Sequence, residues 1–498
     1  MRLSSLLSHV GYVRIRGSAE VLVTGIACDS RQVRPGDLFV CISGFHKDGH
    51  EFAGEAAEKG ASVIVMEEGN RKAEKLEQKL AEKATVIMAA SSRKMLAHLA
   101  AAFYGYPLRS MTSVAVTGTK GKTTTAYMVY EILKQSGKKT GIIGTNGAFT
   151  ADREFPVSHT TPEAHELQRI LWEMKKEGCT HVVMEVSSQG YKMERTAGLH
   201  FTCGIFTNLS PDHIGPGEHE NFEDYLYQKS RLFQNCDMAV ANLDDPWVKD
   251  VTGRAVCPVV TYGMDRGDYQ ALDLVFYKDS HMLGCEYRLR RNREGKKEET
   301  GVFLRLPGEY NVKNSMAAIA AAECLGIPAK QAAGALKELR VPGRMEVVSG
   351  SSRLWIIVDY AHNEISMENL LKTLKSYEPR NLICVFGCGG NRSRLRRSGM
   401  GRAAGTWADL SVITADNSRY EPLPEIIKGI EAGLRETKGK YLIIPDRREA
   451  ISYAVRHGKV GDIIAIIGKG HEDYQETEGT RIHFSDREEV EKALMKYR

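Results

Sequence analysis

The sequence predicts an α/β protein of three domains, and three observations carry that prediction. The chain has 498 residues, too many for one hydrophobic core when domains run to about 100–200 residues. Short apolar runs alternate with helix-length segments along almost its whole length, the pattern of parallel sheets covered by helices. One run, Ser113-Val-Ala-Val-Thr117, leads through a glycine-bearing loop into a helix over 122–136, the opening of a doubly wound domain. We expect a small N-terminal α/β domain over 1–107, a central doubly wound P-loop domain over 108–340 and a C-terminal Rossmann-like α/β domain over 341–498.

In the first domain, apolar runs at 37–43 and 61–66 enclose a helical stretch at 51–59, and helices near 69–83 and 92–104 follow before Tyr106-Pro107 punctuates the chain. In the second, runs at 140–144, 181–186, 204–208 and 238–242 continue the sheet. The charged stretch 288–300, with Asn292-Arg-Glu-Gly295, reads as a solvated hairpin loop rather than a binding patch. After Val341-Pro-Gly-Arg344 the alternation restarts with runs at 354–360, 382–387, 410–415, 441–444 and 463–468.

Composition sets the outer limits. With 42% hydrophobic and 26% charged residues the chain is not disordered. Lys plus Arg number 68 against 63 for Asp plus Glu, and a net charge of +5 is too small at this length to argue for nucleic acid. No apolar run approaches the ~18 residues of a membrane span, and His9 and Arg14 interrupt the opening segment before a secretion signal forms. We expect a cytoplasmic monomer with no membrane contact. The ten cysteines are scattered, and the closest pair, Cys384 and Cys388, has neither redox nor zinc-knuckle spacing. They read as reduced thiols.

The sharpest local signal is Val116-Thr-Gly118-Thr119-Lys120-Gly121-Lys122-Thr123-Thr124-Thr125 between strand and helix. The glycines let backbone N–H groups approach a polyphosphate, Lys122 neutralises terminal phosphates, and Thr123 can offer its hydroxyl to Mg²⁺ at the helix N-terminus. Val116 stands where the common P-loop pattern has glycine. Two polar clusters follow other apolar runs: Glu185-Val-Ser-Ser188, and Asn208-Leu-Ser-Pro-Asp-His213. Strand ends are where ligands of open α/β sheets bind, so Glu185 and His213 are candidates to complete a metal site with Thr123, phosphate oxygens and water. By spacing alone Lys229 is a lysine on a helix surface.

These motifs, with Thr160-Thr-Pro162, Phe206-Thr-Asn-Leu209, Val358-Asp-Tyr-Ala-His-Asn363 and Gly468-Lys-Gly-His-Glu472, resemble those of the Mur ligase family, in order and from Asp29-Ser-Arg31 to Asp486-Arg487. The resemblance implies a central ATPase domain. It also implies ATP-dependent amide ligation in peptidoglycan synthesis, in which a UDP-N-acetylmuramoyl dipeptide carboxylate becomes an acyl phosphate and an incoming amino group displaces phosphate. ATP and Mg²⁺ are the implied cofactors. Lys122, Lys229, His213 and Glu185 are the implied catalytic group, with Thr123, Glu185, His213 and Lys229, as a carbamate, holding metal. Gly118 to Thr124, Asn311, Asn314, Arg344, Asp359 and His362 are implied ATP contacts. Ser30, His46, Lys47, Thr160, Thr161, Ser187 and Arg195 are implied contacts of the UDP substrate. Arg392, Asp416, Asn417, Ser418, Arg419, Gly468 and Glu472 are implied contacts of the incoming amino acid.

Asp416-Asn-Ser-Arg419 resembles the Asp-Asn-Pro-Arg signature of family members that add meso-diaminopimelate, where the arginine suits a distal carboxylate that lysine lacks. Against the family pattern, Ser418 replaces the proline, Ala415 a serine or aspartate, Gln189 a histidine and Glu364 a proline, and the loop after His213 runs Ile-Gly-Pro-Gly-Glu-His. Two alternatives stand beside this reading: a Mur-related ligase using another amino acid or acceptor, and a nucleotide-dependent switch.

Overall fold

A computed structural model describes residues 1–44, 47–215, 217–278, 283–293, 296–351 and 354–497. The chain divides into two compact units, one formed by 1–262 with 320–327 and the other by 263–319 with 328–498.

The first unit holds two sheets. The N-terminal one has five strands in the order Arg14–Arg16, Thr85–Ala89, Val63–Glu67, Leu38–Val40, Ile26–Ala27, parallel except for the first pair. Val63, Ile64, Val65 and Met66 are all buried, which is why the run shows no alternation: a strand covered on both faces has no polar side. The edge strand is tied to the helix Arg71–Ala81 by Glu77, which accepts from Arg14 Nε at 2.9 Å and Arg16 Nε at 2.7 Å.

The other sheet is parallel in the order Val259–Gly263, Cys236–Asn242, Phe201–Phe206, Thr112–Thr117, His181–Glu185, Thr140–Gly144, with two short antiparallel strands, Gly147–Phe149 and Glu154–Phe155, closing its far edge. From Thr112–Thr117 the chain first runs one way to Thr140–Gly144, then crosses to Phe201–Phe206 on the other side. That reversal opens a crevice at the carboxyl end of Thr112–Thr117, flanked by the ends of His181–Glu185 and Phe201–Phe206.

The second unit holds three long antiparallel strands, Tyr269–Lys278, Leu283–Arg293 and Lys296–Leu304. Here the expectation of a solvated loop over 288–300 is corrected, since both arms are strand and only 294–295 lie outside the described residues. Cys285, Tyr287 and Leu289 are buried, while Arg288 and Arg290 pair with Glu299 on the other face, a period of two that charge density hid. The C-terminal sheet has the order Glu346–Ser351, Leu354–Asp359, Asp462–Ile467, Leu382–Phe386, Leu410–Ile413, Tyr441–Ile443, parallel except for the first pair. The ten cysteines are free thiols. Among the described residues no helix is long and apolar enough to cross a membrane.

Candidate active site

The P-loop lies in the crevice of the first unit, between the strand Thr112–Thr117 and the helix Lys122–Gln135. Gly118 and Gly121 have φ of +150° and +83°. A Cβ on Gly118 would stand 1.9 Å from Thr207 Oγ1, so the loop can press against the next strand end only with glycine there. Asn208 clamps it: its side-chain Oδ1 accepts from Lys120 N at 2.9 Å, its Nδ2 donates to Lys120 O at 3.0 Å, and its carbonyl accepts from Thr119 N at 2.8 Å. Lys122 Nζ curls back onto the carbonyls of Gly118 and Thr119 at 2.9 and 3.1 Å.

Glu185, buried at its strand end, accepts from Thr123 Oγ1 at 3.0 Å and from Thr145 N at 2.8 Å. Gly144 makes room, since a Cβ there would meet Glu185 Oε1 at 2.2 Å. The four hydroxyl and guanidinium residues expected here gather round the same strand end. Thr145 Oγ1 lies 3.1 Å from Thr160 Oγ1, Thr161 Oγ1 donates to Glu185 O at 3.1 Å and accepts from Ser187 N at 3.0 Å, and Arg195 Nη1 donates to Thr161 O at 3.1 Å while Nη2 meets Glu163 at 2.7 Å.

The surface reading of Lys229 is overturned. On the helix Phe222–Ser230 its side chain is 1% exposed, and Nζ donates to Gly118 O at 2.8 Å. Burial first, and then the neighbouring Lys122, hold this ammonium well below the ordinary lysine range, against an opposing pull from Asp212. The helix turns its third-turn face inward onto the P-loop, so the lysine that periodicity placed in water sits beside the phosphate cradle. His213 is not brought to Glu185; at φ +56° it is half exposed and pairs through Nδ1 with Glu218 at 2.9 Å. Among the described residues no three His, Cys, Asp or Glu side chains converge as a metal-holding group.

Sequence reasoning missed His219. It is fully buried, with Nδ1 3.0 Å from Asp224 Oδ2 and Nε2 2.9 Å from Ser188 Oγ. Asp224 also takes Lys192 Nζ at 2.7 Å. A carboxylate on Nδ1 leaves Nε2 to accept from the serine, so this chain fastens the Lys229 helix to the Ser187–Lys192 turn beside Glu185. The only signal in the sequence was the odd loop carrying His219.

In the N-terminal sheet Ser30 is buried and donates to Glu55 Oε2 at 3.0 Å, whereas Lys47 is exposed. His46 lies outside the described residues.

In the second unit the expected amino-acid residues cluster at the carboxyl ends of the C-terminal sheet. Arg419 has φ +52°, a left-handed conformation that costs about 1–2 kcal/mol outside glycine, and is pinned by Arg419 N donating to Glu476 O at 3.1 Å. Its Nη1 donates to Gly390 O at 2.7 Å. Asn417 Nδ2 donates to Glu472 Oε2 at 2.8 Å, and Ser418 Oγ lies 3.2 Å from Thr477 Oγ1. Gly468, at φ +120°, leaves space for Asp416, whose Oδ2 a Cβ would meet at 2.7 Å. Arg392 is exposed. Arg447 and Asp486, both fully buried and paired at 2.7 Å, brace the pocket floor through Arg447 donating to the carbonyls of Ala415 and Ile467. Elsewhere in this unit Asn311 Nδ2 donates to Pro307 O at 2.8 Å and Asn314 Nδ2 to Asn311 Oδ1 at 3.1 Å. Asp359 accepts from Met345 N and Ala361 N, Arg344 stacks 4.6 Å over Tyr360, and His362 Nδ1 lies 2.9 Å from Tyr360 O.

A P-loop with an acid and a buried lysine beside it, in a chain ending in a second α/β sheet with a polar strand-end cluster, defines a nucleotide-dependent ligase architecture. Family models agree: residues 22–104 match the Mur ligase family catalytic domain, 116–322 the Mur ligase middle domain and 343–470 the Mur ligase glutamate ligase domain. The UDP-N-acetylmuramoyl-L-alanyl-D-glutamate–2,6-diaminopimelate ligase of Syntrophomonas wolfei is 39% identical over 495 residues, covering 98% of each chain, and that of Geobacillus kaustophilus 38% identical over the whole of both. A solved structure of a ligase of the same name superposes with a TM-score of 0.68 at 29% identity, covering 100% of this chain and 99% of the other. The MurF ligase of Thermotoga maritima, solved with ADP, shares the fold at TM-score 0.62 and 20% identity, covering 96% and 98%. The chain belongs to the Mur ligase family. It is a nucleotide-binding ligase of three α/β domains, ATP-dependent and ADP-forming as that family is.

Proposed function

We propose that this ligase adds meso-diaminopimelate to UDP-N-acetylmuramoyl-L-alanyl-D-glutamate in peptidoglycan synthesis, with domains divided at 107/108 and 340/341. The observation that carries the reading is Thr123, Glu185 and Lys229 gathered round one P-loop, in a chain whose end-to-end relatives are named for this addition.

A carboxylate is a poor electrophile. Attack of the dipeptide carboxylate on the γ-phosphorus of ATP releases ADP and makes an acyl phosphate; the amino group then adds to its carbonyl, and the tetrahedral intermediate collapses with loss of inorganic phosphate. In this scheme the P-loop N–H groups and Lys122 offset charge spread over the transferring phosphoryl oxygens. Thr160, Thr161, Ser187 and Arg195 hold the acceptor near that phosphate, which lowers the barrier by orientation.

The donor set suits Mg²⁺: the Thr123 hydroxyl and the Glu185 carboxylate already face each other at 3.0 Å, and both are oxygen ligands. We assign Thr123, Glu185 and Lys229, as its carbamate, to hold it, and leave out His213, which pairs with Glu218 instead. Bound there, Mg²⁺ supplies charge neutralisation to the phosphate oxygens. Lys229 favours carbamate formation because burial favours its neutral amine, the form that attacks CO₂, giving R–NH–COO⁻ and one proton.

Arg419 is assigned to the distal carboxylate of diaminopimelate. The test is kcat/KM for diaminopimelate and for lysine in wild type and Arg419→Ala. Leaving a desolvated carboxylate without its partner costs about 2–5 kcal/mol, so efficiency with diaminopimelate falls by at least roughly tenfold while lysine loses far less. Equal losses, or a wild type that prefers lysine, would overturn the assignment.

A further inference from the structure

The loop Gly468-Lys469-Gly470-His471-Glu472 leaves the strand Asp462–Ile467 and buries a lysine completely. Lys469 is 0% exposed. Its Nζ donates to Asn417 Oδ1 at 3.1 Å and to Glu472 Oε2 at 3.4 Å, and lies 5.3 Å from the centre of the Tyr474 ring. Asn417 Nδ2 donates to the same Glu472 oxygen at 2.8 Å, and Asn417 Oδ1 also accepts from Glu476 N at 3.0 Å. Three side chains from two strand ends thus close a ring of hydrogen bonds.

A buried ammonium is expensive unless it is paired, and this one pairs with Glu472. Glu472 is largely buried: Asp416 stands beside it, Tyr360 OH donates to its Oε1 at 3.4 Å, the Tyr474 phenol is near, and Arg447 lies behind in its salt bridge with Asp486. Burial first, then Asp416, raise the Glu472 carboxyl above the ordinary range, while Lys469 and Asn417 pull it back. Around Glu472 two neighbouring carboxylates, its own and that of Asp416, stand against the Lys469 side chain, so a substrate ammonium has a carboxylate to meet.

We propose that Lys469 is a positioning residue of the amino-acid pocket, holding the Glu472 carboxylate and the Asn417 amide so that the pocket selects an amino acid with a distal ammonium. The inference rests on the assignment of Glu472 and Asn417 to the incoming amino acid made above. Lys469 itself does not touch the substrate. Without its charge, a buried carboxylate next to Asp416 neutralises by taking up a proton, and a protonated Glu472 no longer attracts an ammonium.

The test is steady-state kinetics of the full chain from about pH 6 to about pH 9 with meso-diaminopimelate and with lysine, for wild type, Lys469→Met, Glu472→Gln and the double variant. Lys469→Met should raise KM for both amino acids by about tenfold or more, leave KM for ATP within about twofold, and move the acid-side fall of amino-acid binding to higher pH. The double variant should be no worse than Glu472→Gln alone, because the lysine acts through that carboxylate. An unchanged KM, an unmoved pH limb or additive losses would overturn the proposal. If Lys469→Met does not fold, Lys469→Gln, which keeps a donor and loses the charge, carries the same comparison. A wild type that consumes neither amino acid overturns the pocket assignment itself, a result separate from any on Lys469.

Discussion

At the residue scale the site depends on side chains whose surroundings the sequence could not show. Lys229→Gln should abolish phosphate release while leaving the melting temperature unchanged or higher, because it removes a buried amine that must give up its proton on folding, which costs stability at neutral pH; wild-type turnover would remove Lys229 from the site. Gly118→Ala should lose nucleotide binding, since its Cβ would collide with Thr207 and its φ of +150° is unsuited to any other residue. Isothermal titration with ATP would show it, and unaltered affinity would mean the loop re-forms elsewhere. His219→Ala should cut kcat by displacing the Ser188 turn and the Lys229 helix, with partial recovery in His219→Gln, which keeps one hydrogen bond. Equal rates in the two variants would show that the His219 chain does not position the site.

At the element scale, chain order was readable and geometry was not. The strand Thr140–Gly144 lies where its apolar run placed it, and the helix Lys122–Gln135 ends one residue before the expected 136. Glycine, threonine and lysine between a buried strand and a helix define a phosphate loop by local chemistry alone. The stretch 288–300 reads as a hairpin loop because it is dense in charge, yet it is continuous with the strands Leu283–Arg293 and Lys296–Leu304, the first of which buries alternate residues at Cys285, Tyr287 and Leu289. Lys229 and His219 failed for another reason: which face of the helix Phe222–Ser230 turns inward is decided by the P-loop and Ser188, far away in sequence. Arg419 and Glu472 were legible only through resemblance, because their strand ends meet by sheet topology.

Glu77 gives an element-scale test. Hydrogen bonds from Arg14 in first place hold its carboxyl down to about 2, from an ordinary 4.5. A depressed carboxylate contributes stability that is complete above the unfolded value and is lost as pH falls through the folded one. Denaturant melts between about pH 5 and about pH 2 should therefore lose less stability in Glu77→Gln than in wild type. Parallel losses in both would show that the strand Arg14–Arg16 is not held by this pair.

At the scale of the whole molecule, each of the two units presents its polar residues at the carboxyl ends of its parallel strands. In the first unit these residues surround a phosphate loop, and in the second they form a cluster of opposed charges around Glu472. A nucleotide switch would need the first alone; a ligase needs both. The most direct measurement is product mass after incubating the protein with ATP, Mg²⁺, UDP-N-acetylmuramoyl-L-alanyl-D-glutamate and a panel of amino acids, with ADP and phosphate assayed in parallel. The account predicts a single new species, the dipeptide conjugate extended by diaminopimelate, with phosphate released only when nucleotide, acceptor and amino acid are all present. Extension by lysine in preference, or phosphate release without acceptor, would contradict it.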